Sequence, residues 1–521
     1  MFRLNPLFTD GCVLCRRREI PVFGEAEDGT QITAALRAAN GKLLAGDTRA
    51  ARNGRFLLCL APQEARTGCT LEIMCTPALS PTDDRAAFLH YALTNARAEE
   101  PSSCVVRDVA IGEVWLAGGQ SNMELALMNA DEGPAEVAAH DDGLLRFFDV
   151  PKWARACDEA DEAFRNTRWQ KALPGQAAWV SAVAYWFGRK ARAHLNIPVG
   201  IIDCWWGGTS VTCWLSEETL ASTAAGQRYL DEYAEKSAGV TMEAWLAAET
   251  VFRDGLDAWN QRVDEVKREL GQDAPWAEIE AQAGACPWNP PVGPGSQYRP
   301  HCLYDHMLRR IMPTGVNGFL WYQGEEDAAR TDRYDLLMGQ LIGAWRRDFG
   351  GADLPFLFVQ LPGWGGCEDH EAWPRLRLQQ AAVAKALRST GLVVTLDVGD
   401  RDNIHPTNKR PVGERLYELA RTVAWGEQGE LSPEAVSVKR DPGALVIGLS
   451  APLRPDQPLE GFEVCGADGV WHPAICRILG ESLRLTCEAV PDPLHARYAF
   501  IDWPETVLKG KNGLPLAPFA L

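Results

Sequence analysis

The sequence predicts an α/β protein: a doubly wound, mostly parallel sheet of five strands that carries a helical insertion and is flanked by β-rich segments at both ends. Three observations predict it. Five apolar runs, at 112–118, 198–206, 316–322, 355–361 and 391–398, each lead into a polar or glycine-bearing loop. Several are apolar without strict alternation, as expected of strands covered on both faces. Helical stretches such as AVAYWFGRKARAHL lie between them, and strand, loop, helix, strand is the order that winds a parallel sheet.

The chain of 521 residues is too long for one core, so several domains are expected. Residues 1–105 read as β. GCTLEIMC alternates Leu71, Ile73 and Cys75 on one face, and Asp28-Gly29 is a turn signal between two short runs. Residues 106–225 and 301–430 hold the five sheet strands in two parts. Between them, 226–300 is an insertion. Phe252, Leu256, Trp259, Val263, Val266 and Leu270 recur at steps of three and four, which marks one amphipathic helix. The proline- and glycine-rich CPWNPPVGPGSQYRP then forms a loop back to the sheet, with the length of a lid or rim. Residues 431–521 return to short strands, with GADGVW as a hairpin turn.

Charge and cysteine usage bound the function. A net charge of −18 argues against nucleic acid and anionic membranes as partners and favours a small or neutral ligand. The first twenty residues lack the apolar stretch of a secretory signal. Fifteen cysteines, several on apolar runs (Cys59, Cys75, Cys204, Cys487), fit a reducing, cytoplasmic setting. Cys12 and Cys15 have no second pair at zinc spacing, so no metal is expected there.

The chemistry-bearing residues follow the strands, and in a parallel sheet those ends share one edge. The first strand leads to Ser121, the second to WWGGTS, the third to WYQGEED and the fifth to DVGDRDNIHP. A hydroxyl is a poor nucleophile until a base takes its proton. His405 is the candidate base and Asp402, three residues earlier, the candidate orienting acid; Asp397 and Asp400 are alternatives. The Ser121 N–H at a helix start, the Gly208 N–H and the Gln323 amide could aim at a developing oxyanion. Gln120, Asn122, Trp206 and Glu325 are candidate substrate contacts. Each residue has a plainer reading alone: Ser121 as a helix cap, Gly207 and Gly208 as turn glycines, Gln323 as a structural amide, Glu325–Asp327 as acids at a helix start. Their joint placement at successive strand ends favours the catalytic one. Trp205, Trp206, Trp214, Trp321 and Trp364 read equally as core or as a platform for sugar faces.

These blocks, GEVWLAGGQSNMEL, WWGGT, LWYQGEED, PFLFVQL and DVGD…DNIHPTNKRPVGERL, resemble the sialate O-acetylesterase family of SGNH (GDSL-like) hydrolases. The likeness runs through most of the chain, including LEGFEVCGADGVWHPA near its end. It implies a three-layer α/β/α hydrolase domain with flanking β domains and no cofactor. It assigns Ser121, His405 and Asp402 as nucleophile, base and third member, with Ser121, Gly208 and Gln323 at the oxyanion hole. The reaction implied is removal of acetyl esters from sugars, with acetylated sialic acids or xylan-type oligosaccharides as alternative substrates. A carbohydrate-binding protein that lost turnover is the alternative from another class.

Overall fold

The structure is a computed structural model and describes residues 2–76, 103–271 and 274–521; part of the β segment expected over 1–105 lies outside these. Its centre is a sheet of six parallel strands in the order Asp142–Asp149, Val199–Trp205, Ser103–Gly119, Gly318–Tyr322, Phe356–Val359, Thr390–Val393. Gln170–Ala172 adds an antiparallel strand at one edge. The expected five are all present, and Asp142–Asp149 is a sixth. Its apolar run is split by Arg146. That guanidinium is buried and donates to the carbonyls of Gly11 (2.8 Å) and Asp108 (2.7 Å), which offset its desolvation.

Side chains alternate across the sheet, and each face is covered by helices. On one side Ile202, Cys204, Phe319 and Trp321 meet Trp345 and Leu376 of the helices Tyr334–Asp348 and Ala372–Ala386. On the other, Val199, Ile201, Leu320 and Tyr322 meet Phe187 and Leu416 of the helices Ala182–Leu195 and Arg410–Val423. The first of these helices starts where predicted: Ser181 Oγ accepts from the Ala184 N–H at 3.2 Å.

The strand Ser103–Gly119 is 17 residues long and crosses the expected boundary at 105. Its first half pairs with Arg66–Thr76 and Val13–Cys15, its second half with the central strands, so N-terminal and central strands share one eleven-stranded sheet. The runs on either side of Asp28-Gly29 do not pair with each other. Ile20–Glu25 joins a separate three-stranded sheet and Gln31–Arg37 joins the large one. Cys12 and Cys15 are buried at this junction, and burial raises both thiols, Cys12 to about 12.

The C-terminal strands form two four-stranded antiparallel sheets around their own core. Arg377, fully buried on the helix Ala372–Ala386, attaches them. It donates to the carbonyls of Leu361 and Pro362 on the central domain and of Ile501 and Asp502 on the C-terminal one. The insertion contains the predicted helix as Met242–Leu270, yet of its apolar stripe only Val263 and Val266 are buried, against Ile279 of the helix Trp276–Ala283. No helix among the described residues is long and apolar enough to cross a membrane.

Candidate active site

Ser121 stands where the central strand passes into the short helix Ser121–Glu124. Gly119 makes the turn. Its φ is +138°, and a Cβ there would lie 2.1 Å from the Tyr322 carbonyl oxygen. The Gln120 N–H donates to that same carbonyl at 3.0 Å, so the neighbouring strand grips the chain one residue before the serine. Gln120 occupies the cap position. The Ser121 hydroxyl is therefore not a cap, and it lies 2.8 Å from His405 Nε2.

The loop carrying His405 is folded by side-chain turns. Asp400 Oδ1 accepts the N–H groups of Asp402 (2.9 Å) and Asn403 (3.1 Å), and Asn403 Oδ1 accepts that of His405 (2.9 Å). Buried Asn122, next to the serine, donates to the Ile404 carbonyl at 3.0 Å and to Glu325 Oε1 at 2.6 Å. Its own carbonyl accepts from Lys409. This enclosed network joins the nucleophile's helix to the histidine's loop. Burial and the nearby Lys409 ammonium hold the His405 imidazole down to about 4, so it is neutral near pH 7, as a base must be. Burial lowers Lys409 to about 7 and raises Glu325.

Three sequence expectations are corrected here. Asp402 is exposed and forms no hydrogen bond or ion pair with His405, because the turns around Asp400 leave its carboxylate in solvent. The alternatives do not replace it: Asp397 is held by Arg415 (2.7 and 2.8 Å) and Lys509 (3.0 Å), and Asp400 by the backbone. Gln323 is fully buried, and its amide donates to the Thr209 carbonyl (3.1 Å) and Asp327 Oδ2 (2.6 Å). Both protons are committed, so it is not a free oxyanion donor. Gln120, Asn122 and Glu325 are committed inside the protein too; Gln120 Oε1 accepts from the Gly324 and Glu326 N–H groups. Trp206, another of the expected substrate contacts, lines a cavity.

What Gln323 and its neighbours do is hold the glycine loop. Asp327 accepts from Ser210 Oγ (2.6 Å) and the Val211 N–H (2.8 Å). From the other side, Glu124 of the serine's own helix accepts the Gly207 N–H at 2.6 Å and pairs with Lys152. Gly207 is thereby drawn so close that a Cβ on it would lie 3.3 Å from Ser121 Cβ. Among the described residues the N–H groups of Ser121 and Gly208 have no acceptor within the chain. Glu124, Lys152 and Lys409 were not singled out from sequence, and Asp327 only as an acid at a helix start; NMEL and HPTNK carry no spacing that reveals partners so distant. Of the other tryptophans, Trp214 and Trp321 are core, Trp205 is buried under Lys152 Nζ at 4.4 Å, and Trp364 packs on Trp373.

An open α/β sheet with a serine–imidazole pair at its edge is joined here by likeness to carbohydrate esterases. A family model described as carbohydrate esterase, sialic acid-specific acetylesterase, matches residues 287–421. The sialate O-acetylesterase of Mus musculus is 28% identical over 460 residues, covering 80% of this chain and 78% of its own; that of Homo sapiens is 25% identical, covering 77% and 72%. A crystal structure of a carbohydrate acetylesterase from Xanthomonas citri superposes over 100% of this chain and 99% of its own, with a TM-score of 0.74 and 28% identity. The chain is thus similar along most of its length to sialate O-acetylesterases and to a carbohydrate acetylesterase.

Proposed function

We propose that the protein hydrolyses O-acetyl esters of sugars, acetylated sialic acids first among them, through an acetyl-enzyme on Ser121. The observation that carries the reading is the 2.8 Å contact between Ser121 Oγ and a neutral, partly buried imidazole. His405 Nε2 takes the hydroxyl proton as Oγ attacks the acetyl carbonyl. The tetrahedral oxyanion accepts from the Ser121 and Gly208 N–H groups. The sugar oxygen then leaves with the proton from His405, and water activated by the same nitrogen releases acetate. The α/β/α layering of an SGNH hydrolase and a cytoplasmic setting belong to this proposal as well. The net charge of −18 favours a second reading, in which neutral xylan-type oligosaccharides are the substrates.

Acetate release from defined acetylated sugars tests the activity. A fluorophosphonate should label Ser121 and fail to label His405→Ala. Absence of turnover on acetylated sugars and on p-nitrophenyl acetate alike would leave a binding protein.

A further inference from the structure

We infer that the helical insertion builds the subsite for the leaving sugar, and that this subsite takes a single pyranose ring bearing an acidic group, with Trp288 and Arg155 as its specificity-determining residues. The inference rests on the sugar-ester reading and deepens it. A cavity of about 280 Å³ lies between the helix Met242–Leu270, the loop 286–300 and residues 152–155. Small-molecule sites run from about 300 Å³ upwards, and this one, at the lower edge of that range, has room for one sugar ring.

The cavity wall adjoins the glycine loop that borders the reacting centre. Its wall residue Gln297 donates to the Gly207 carbonyl at 3.2 Å. A Cβ at Gly208 would stand 3.1 Å from Tyr298 and 3.6 Å from Trp288, so both rings pack beside that residue. The wall is also firmly built. Trp245, buried on the insertion helix, donates to the Pro291 carbonyl at 3.1 Å and lies flat against Gly293 and Gly295, where any Cβ would collide with it.

The lining matches one chemistry. Trp153, Trp206, Phe252, Trp288 and Tyr298 offer aromatic faces of the kind that take the apolar face of a pyranose. Trp288 is 55% exposed although it packs edge-on against Phe252 (ring centroids 5.9 Å) and Tyr298 (6.4 Å). Three cations, Lys152, Arg155 and Arg253, line the cavity against one carboxylate, Glu249, in a chain of strongly negative net charge. Lys152 is paired with Glu124, and Arg253 with Glu249. Arg155 is half-buried, 6.0 Å from the Trp153 ring, and among the described residues it has no hydrogen bond or ion pair; the exposed Glu159 is the acid that feels its charge. A guanidinium so placed is suited to a carboxylate, which it can hold by two parallel hydrogen bonds.

The test compares kcat/KM for p-nitrophenyl acetate, 6-O-acetylglucose and 9-O-acetyl-N-acetylneuraminic acid. Trp288→Ala should lower both sugar values about tenfold or more beyond any fall in the p-nitrophenyl acetate value. Arg155→Met should lower only the acidic sugar, by a similar factor. An equal loss on all three esters would assign these residues to scaffolding and overturn the subsite, and so would unchanged sugar values. An Arg155→Met variant that keeps full activity on the acidic sugar would overturn the acidic group. Wild-type protein that cleaves p-nitrophenyl acetate but neither sugar would overturn the sugar-ester reading itself, a pattern distinct from any variant effect.

Discussion

Replacing Gly208 with alanine tests the proposed oxyanion site most directly. The residue holds φ at +71°, a left-handed conformation that costs a side chain about 1–2 kcal/mol. The new methyl would also stand 3.1 Å from Tyr298 Cε1, closer than a comfortable contact. Tyr298 is itself braced against Trp288, with ring centroids 6.4 Å apart. The backbone therefore relieves the strain by rotating, which turns the Gly208 N–H away from the hydroxyl side. Loss of one such donor is worth about 10²–10³ in kcat, or about 2.7–4 kcal/mol. We expect kcat for p-nitrophenyl acetate to fall about 10²-fold with KM little changed, while the melting temperature drops by a few degrees at about 2–4 °C per kcal/mol. Steady-state kinetics and a thermal melt on the same preparation measure both. A variant that melts earlier but keeps kcat within threefold of wild type would refute the donor role of Gly208.

Asp402→Asn should cost less than about tenfold in kcat, because its carboxylate does not touch His405; a buried orienting acid would cost about 10⁴. Activity should persist well below pH 6.5, since His405 gains a proton only near pH 4. Removing the Lys409 charge with Lys409→Met makes that protonation easier and should move the acid limb of the kcat/KM profile upward; an unmoved limb would show that Lys409 does not depress the imidazole. Glu124→Ala should lower kcat about tenfold by releasing Gly207, whereas Glu124→Gln keeps an acceptor and should stay within about threefold. Burial and the neighbouring Asp149 raise the Asp203 carboxyl to about 7, so the folded state holds a proton there that the unfolded chain has lost above about pH 4. Stability should fall as pH rises from about 4 through 7, and Asp203→Asn should flatten that slope in denaturant melts taken across the range.

The strands were readable because each one needs apolar residues on both faces, and local composition records that requirement. The strand Asp142–Asp149 escaped notice because Arg146 interrupts it, and only the distant carbonyls of Gly11 and Asp108 explain a buried guanidinium. The meeting of Ser121 and His405 followed from topology alone: both come after parallel strands. Gln323 shows where that reasoning stops. Its strand end was predicted correctly, but the direction of its amide depends on Thr209 and Asp327, and strand order does not encode side-chain orientation. Asp402 failed for a related reason. Three residues of separation permit a carboxylate–imidazole contact, yet the turns made by Asp400 and Asn403 decide against it.

The extended stretch Ser103–Gly119 acts as a beam shared by two rooms. At one end it is locked among N-terminal strands; at the other it delivers the nucleophile. Loosening of the outer room would tug on the serine's own support, so the strands paired with the beam there should melt together with the active site. Excising that sheet would strip partners from the beam itself, and the remaining chain would forfeit its reactive hydroxyl's alignment along with the missing residues.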